Sequence, residues 1–136
     1  MDIHYEVVGA IFISDGKVLA FKRGASSNPL VAYKWEFAGG KVERGEDEKS
    51  ALERELKEEL NLTCLVKDKF MTTDYTYPKY SVRLHLYRCD MLSDFTLREH
   101  VACRWMAAEE LNQDEWAPAD IPVIDRLKSE LASTAK

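Results

Sequence analysis

The stretch GGKVERGEDEKSALERELKEELNL, residues 39–62, decides how this chain is read. Its second half is a helix by pattern: Ala51, Leu52, Leu56 and Leu60 recur at 3.6-residue spacing and form one apolar stripe. Gly45-Glu46-Asp47-Glu48 opens that helix, with carboxylates in the first turn where the macrodipole favours them. Asn61 closes it, since Asn tolerates the left-handed conformation common at helix C-termini. From Glu46 to Glu59 seven carboxylates stand against Lys49, Arg54 and Lys57, a net charge of −4 in a chain whose total is −5. On a helix turning about 100° per residue, Glu55, Glu58 and Glu59 lie within about 100° of arc, beside the stripe. Three like charges there repel, and the helix itself gains nothing from them. Two explanations stand at this point. One is a solvated acidic face, the ordinary fate of a glutamate-rich helix. The other is a hard divalent cation, Mg²⁺ or Mn²⁺, which takes oxygen ligands and bridges carboxylates to phosphates. Gly39-Gly40 weighs toward the cation, because a bare backbone carbonyl there adds an oxygen ligand. Lys41 is placed to meet a phosphate as a point charge, and Arg54, one turn before Glu58, offsets part of the cluster.

Outward from this helix the chain reads as one α/β domain over residues 1–136. Val7 to Ile13 and Val18 to Phe21 form a hairpin about the tight turn Asp15-Gly16. Gly24 to Ala32 is a loop on turn chemistry, and Trp35-Glu36-Phe37 is a short strand. Leu62 to Thr73 and Tyr80 to Cys89 are strands joined across Tyr77-Pro78-Lys79; the second alternates Val82, Leu84, Leu86 against Arg83, His85, Tyr87. Val101 to Met106 is a further strand and Ala108 to Leu111 a helical turn. After Pro118 an amphipathic helix closes the chain from Ile121 to Leu131, with fraying from Ser133 to Lys136. Trp35 and Trp105 are expected in the core. His4, His85 and His100 do not cluster and receive no catalytic role, although His85 lies on the strand face opposite Leu84 and so points toward a substrate.

Composition narrows the function classes. With 46% apolar residues, a chain of 136 buries a core without a disulfide or metal staple. The net negative charge argues against a grip on the backbone of a nucleic-acid polymer. The longest apolar run, Val7 to Ile13, is too short for a membrane span, and the acidic start Met1-Asp2-Ile3-His4-Tyr5-Glu6 is unlike a signal peptide. Cys64, Cys89 and Cys103 are widely spaced and read as reduced thiols of a cytoplasmic protein.

Gly40, five residues, Glu46, seven residues, then Arg54-Glu55-Leu56-Lys57-Glu58-Glu59-Leu60-Asn61-Leu62 resembles the Nudix box over residues 40–62, with Asn61 where that pattern has Gly. Trp35 to Glu43 and Ala117-Pro118-Ala119-Asp120-Ile121-Pro122 look like the MutT-type branch of the family, most closely its CTP pyrophosphohydrolases, and the similarity runs from residue 5 to residue 131. The resemblance implies an α/β Nudix fold, a mixed curved β-sheet sandwiched between helices (α/β/α). It implies hydrolysis of a nucleoside triphosphate to monophosphate and pyrophosphate with Mg²⁺, or Mn²⁺ in its place. Carried onto matching positions, the Gly40 carbonyl, Glu55, Glu58 and Glu59 hold the metal, Glu55 takes the proton of the attacking water, Arg54 braces Glu55, and Glu46 closes a structural salt bridge.

Glu99 matches a further catalytic, metal-holding carboxylate before the last strand; its alternative is an exposed loop charge. Arg23 matches a phosphate-contacting arginine; its alternative is a charge at a strand end. Phe37 and Tyr77 match positions that wall the base. Asp120 stands where the oxidised-guanine enzymes have Asn, or else merely caps the closing helix. An ionised Asp only accepts hydrogen bonds, which suits an exocyclic amino group and tilts the expectation toward CTP, dCTP and 5-methyl-dCTP or amino-bearing damaged nucleotides. The rival is an 8-oxo-dGTP diphosphatase that cleanses the nucleotide pool, because a protonated Asp120 would accept an oxidised guanine. A nucleotide sugar or dinucleotide fits such a short chain less well. A non-catalytic nucleotide-binding sensor of the same fold would have lost box carboxylates, and Glu55, Glu58 and Glu59 are all present. The implied partner is a small nucleotide, with monomer and homodimer both open.

Overall fold

The structure is a computed structural model and describes residues 3–134. Eight strands and two helices follow one another: β1 (His4–Ile11), β2 (Ile13–Ser14), β3 (Lys17–Lys22), β4 (Trp35–Glu36), β5 (Gly39–Lys41), α1 (Glu48–Leu60), β6 (Cys64–Thr76), β7 (Ser81–Met91), β8 (Ala102–Met106) and α2 (Ile121–Thr134). Three short 3-10 turns lie between β8 and α2. The strands form two four-stranded sheets. The first has the order β5-β1-β7-β6, with β1 parallel to β7 and the other pairs antiparallel. In the second, β3 pairs with β2, β4 and β8, all antiparallel.

Side-chain alternation sorts the apolar residues into two cores, one on each sheet face. Val8, Ala10, Leu19, Phe21, Tyr87 and Cys89 pack against Ala51, Leu52, Leu56 and Leu60 of α1. Ile11, Val18, Ala20, Leu84 and Leu86 pack against Val123, Ile124, Leu127 and Leu131 of α2. The layering is therefore α/β/α, as the sequence led us to expect, and no helix among the described residues is long and apolar enough to cross a membrane.

Four local expectations change. The Asp15-Gly16 turn is present, with both residues at positive φ (52° and 74°), but its hairpin is only two residues deep. The strand before it, β1, belongs to the other sheet, where it has β5 and β7 as neighbours. Gly39–Lys41 is a strand that carries no strand signal. A Cβ on Gly39 would stand 1.9 Å from the Val8 carbonyl oxygen, so this close pairing admits only glycine. Trp105 is 38% exposed on β8, which among the described residues pairs with β3 alone; the fully buried indole is Trp116. At the C-terminus α2 continues through Thr134, past the expected start of fraying, and residues 135–136 lie outside the described residues.

The caps of α1 follow the sequence closely. Asp47 accepts from the Ser50 backbone N–H at 2.9 Å, which leaves Glu46 outside the helix. Asn61 sits in the left-handed region (φ 51°, ψ 37°) and its N–H donates to the carbonyls of Leu56 and Lys57. Because a side chain with a Cβ and no local hydrogen-bonding group is strained there, Asn61→Ala is expected to lose about 1 kcal/mol of unfolding free energy, and Asn61→Gly to lose none. Urea unfolding of the two variants beside the wild type reads this directly.

Candidate active site

Two side chains from α1 meet the backbone of β5. The Glu55 carboxyl lies so close to Gly40 that a Cβ added there would be 2.4 Å from its carboxyl carbon. Glycine at position 40 is thus a seat for a carboxylate. Arg54 points the same way and spreads its guanidinium over several partners. It donates twice to Glu46 (2.8 and 2.9 Å), to Glu55 (2.9 Å), to Glu58 (3.2 Å) and to the Lys41 carbonyl (3.1 Å). The two bonds from Arg54, followed by one from the Glu43 backbone N–H, hold the Glu46 carboxyl down at about 2.

Glu59 is the unexpected member of the helix. It is buried beside Leu56 and Leu60, and its carboxyl is pushed up to about 9. Burial is the largest cause, followed by a hydrogen bond with Glu55 and by the charges of Glu99, Glu55 and Glu36. Four acidic side chains from α1, β4 and the loop before β8 therefore converge. The convergence brings Glu99 into the box's electrostatic field, while Glu58 remains exposed at the rim. Among the described residues no group of three or more His, Cys, Asp or Glu side chains is arranged to hold a metal ion. Arg54 instead holds three of the box carboxylates, Glu46, Glu55 and Glu58.

Beside this cluster opens a cleft of about 420 Å³. Arg23, Phe37, Lys41, Tyr77 and Asp120, drawn from four stretches of chain, all line it together with Gly40. Lys41 lies with its ammonium 3.9 Å from the centre of the Tyr5 ring, a cation–π contact at the cleft wall. Arg23 reaches Glu36 at 3.4 Å. Asp120 closes the last 3-10 turn before α2, and its carboxyl is buried in the cleft. Burial pushes it well above the usual range; the Glu36 charge adds to the shift and Arg23 opposes it.

Several residues here escape sequence reasoning. Glu36 and His100 stand 64 positions apart and meet at 3.0 Å, with no shared pattern to announce them. Tyr80 accepts from the Asn28 side chain at 2.8 Å and so ties the loop after β3 to the start of β7. A different correction concerns His85, which does not face the cleft. It lies on the α1 side of β7, where it donates to Glu6 at 2.8 Å and stands 3.6 Å from Glu48. The parallel pairing of β1 with β7 sets Val8 opposite His85, so the ring shares the face that α1 covers.

A family model described as the NUDIX domain matches residues 4–127. The chain belongs to the Nudix family. As a Nudix hydrolase it has relatives across nearly its whole length. It is 40% identical over 121 residues to the CTP pyrophosphohydrolase of Escherichia coli K12, covering 88% of each chain. It is 32% identical over 122 residues to the 8-oxo-dGTP diphosphatase of the same organism, covering 89% of this chain and 93% of that one. Among solved structures, the solution structure of the E. coli ORF135 protein superposes with a TM-score of 0.82 at 37% identity, covering 97% of this chain and 94% of the other. Nudix hydrolases act on small nucleotides and generally use a divalent metal.

The geometry of Arg54 has a consequence for acid stability. The Glu46 carboxyl is depressed in the fold, so its stabilising contribution is present above its ordinary value of 4.5 and is lost as pH falls toward 2. Arg54→Met frees Glu46 from that shift. Its melting temperature is expected to fall less steeply than that of the wild type between pH 4.5 and pH 2, from a lower starting point, in thermal melts followed by circular dichroism.

Proposed function

We propose that this Nudix hydrolase is a nucleoside triphosphate pyrophosphohydrolase, releasing a nucleoside monophosphate and pyrophosphate, with CTP, dCTP and 5-methyl-dCTP as its preferred substrates. The observation that carries the reading is the shared cleft. Side chains suited to phosphates (Arg23, Lys41) and to a base (Phe37, Tyr77, Asp120) line one space with Gly40, on which Glu55 is seated. The close relationship to a CTP pyrophosphohydrolase supports the choice of base.

Burial first, and then the nearby charges of Glu55, Glu99 and Glu36, disfavour a negative Glu59; a divalent cation offsets both, so the donor set suits one. We assign its ligands to Glu55, Glu58, Glu59, Glu99 and the Gly40 carbonyl. Bound there, Mg²⁺ or Mn²⁺ would supply positive charge for the phosphate oxygens and a more acidic water. The chain does the rest. Glu55 accepts the proton of the water that adds to phosphorus, in a direction set by Arg54. Arg23 and Lys41 place positive charge against the phosphate chain, and pyrophosphate leaves as the P–O bond breaks. Phe37 and Tyr77 offer ring faces to the base.

Asp120 changes the base argument made from sequence. Its burial favours the neutral acid over the acceptor-only carboxylate. A neutral carboxyl offers one acceptor and one O–H donor. Cytosine presents an N4 amino donor beside the N3 acceptor, so the two edges interlock. With its donor and acceptor exchanged, the same carboxyl meets the O6 and N7–H of 8-oxoguanine, and the 8-oxo-dGTP diphosphatase relative favours this as the second reading. A sensor role has no such support, because the box carboxylates and the seat of Glu55 are intact. We place the enzyme in the cytoplasm as one domain, residues 1–136, where its three cysteines stay as the free thiols the structure records.

The test is pyrophosphate release from CTP, dCTP, 5-methyl-dCTP, 8-oxo-dGTP and the ordinary triphosphates with Mg²⁺, in the wild type and in Glu55→Gln. Cytosine nucleotides are expected to lead in kcat/KM, with a loss of at least 1000-fold in the variant; a lead for 8-oxo-dGTP selects the second reading. Gly40→Ala displaces the Glu55 carboxylate and is expected to cost about 100-fold in kcat in the same assay. Asp120 also leaves a mark on stability. Its carboxyl is raised in the fold, so wild-type stability falls as pH rises past 3.8, by up to about 1.4 kcal/mol per pH unit. Asp120→Asn removes that slope and is expected to gain on the wild type between pH 4 and pH 7 in urea unfolding.

A further inference from the structure

His100 packs its ring 5.2 Å from that of Phe21, with its side chain only 5% exposed. Its Nε2–H donates to the Glu36 carboxylate at 3.0 Å, and that bond leaves Nδ1 as a lone pair. Nδ1 is buried and has no hydrogen-bond partner, a costly arrangement for a polar atom unless something completes it. What it faces is Glu59, whose Oε2 is 4.0 Å away, beyond hydrogen-bonding reach. Two ligands each about 2.1 Å from one ion stand between about 3 and 4.2 Å apart, so this gap is one that a single cation spans. Metal-binding histidines almost always donate their second ring nitrogen to a carboxylate, which fixes the tautomer and the ring plane. Glu36 does this here, and is itself held from the other side by Arg23.

We propose that Nδ1 of His100 is a nitrogen ligand of the divalent cation, beside Glu59, with Glu36 as the carboxylate that orients it. This rests on the carboxylate metal centre read above and extends it from an all-oxygen site to a mixed one. Glu99, the residue before His100, contributes charge at Glu59, so the loop before β8 brings two adjacent residues toward the same carboxylate. An imidazole nitrogen shifts selectivity away from Mg²⁺ and toward first-row transition ions.

Mn²⁺ alone, without nucleotide, is the probe. Pulsed electron paramagnetic resonance of Mn²⁺ on the wild type is expected to show coupling to a directly bound ¹⁴N. That signal should vanish in His100→Gln, whose amide still donates to Glu36 but carries nothing at the Nδ1 position. In competition titrations His100→Gln should lose about tenfold in Mn²⁺ affinity and less than threefold in Mg²⁺ affinity. Circular dichroism checks that the fold is kept. Should His100→Gln unfold, His100→Asn replaces it, with the same loss of coupling expected. Mn²⁺ that binds the wild type, fails to bind Glu59→Gln and shows no nitrogen coupling overturns the His100 assignment and leaves the carboxylate centre standing. An absence of Mn²⁺ binding to the wild type overturns both.

Discussion

One guanidinium holds the acidic helix to the rest of the protein. Seven carboxylates between residues 46 and 59 would push α1 away from any negative neighbour, and Arg54 turns that repulsion into attachment. Its planar fork grips Glu46 with two nitrogens while reaching Glu55, Glu58 and the Lys41 carbonyl. Lysine has one ammonium and cannot occupy so many directions at once. The helix, the loop before it and β5 are fixed in one contact. Because β5 pairs with β1 and β1 with β7, the first sheet takes its place against α1 from this point.

The close approach at Gly40 follows from the same contact. A carboxylate pressed against a strand backbone needs a residue without a side chain, and a second glycine at position 39 lets the strand pass the Val8 carbonyl. The two adjacent glycines therefore answer two different neighbours, one on the helix and one on β1. Glu59 stands on the inner side of the same helix, where the apolar stripe has dried its surroundings. The helix thus carries carboxylates in three conditions: gripped, exposed and buried.

The helix was legible because its signals are local. The stripe, the Asp47 cap, the Asn61 terminus and the box spacing all fall within 24 consecutive residues. The strands were mostly legible through alternation, and the two-sided burial of β7 agrees with it, since Leu84 and Leu86 belong to one core and Tyr87 and Cys89 to the other. Arg23, Phe37, Tyr77 and Asp120 were named only through resemblance to a family, for nothing in their own spacing relates them. What stayed hidden depends on tertiary surroundings. Gly39–Lys41 has no strand propensity and is held by its pairing with β1. The upward shift of the Asp120 carboxyl comes from the burial the fold imposes on it, which a hydrogen-bond inventory of the residue alone cannot supply. The meeting of Glu36 with His100 across 64 positions has no sequence signature.

The distribution of these parts along the chain bears on how such an enzyme changes over generations. The residues proposed for the chemistry sit mainly on one helix and the strand before it, whereas those proposed to meet a base come from the ends of β4 and β6 and from the segment before α2. A lineage is free to exchange the second group and so acquire a new nucleotide without disturbing the first. Glu36 is the exception, since its charge is felt both at Glu59 and at Asp120. Removing the charge at position 36 would therefore be felt at the carboxylate cluster and at the buried Asp120 together.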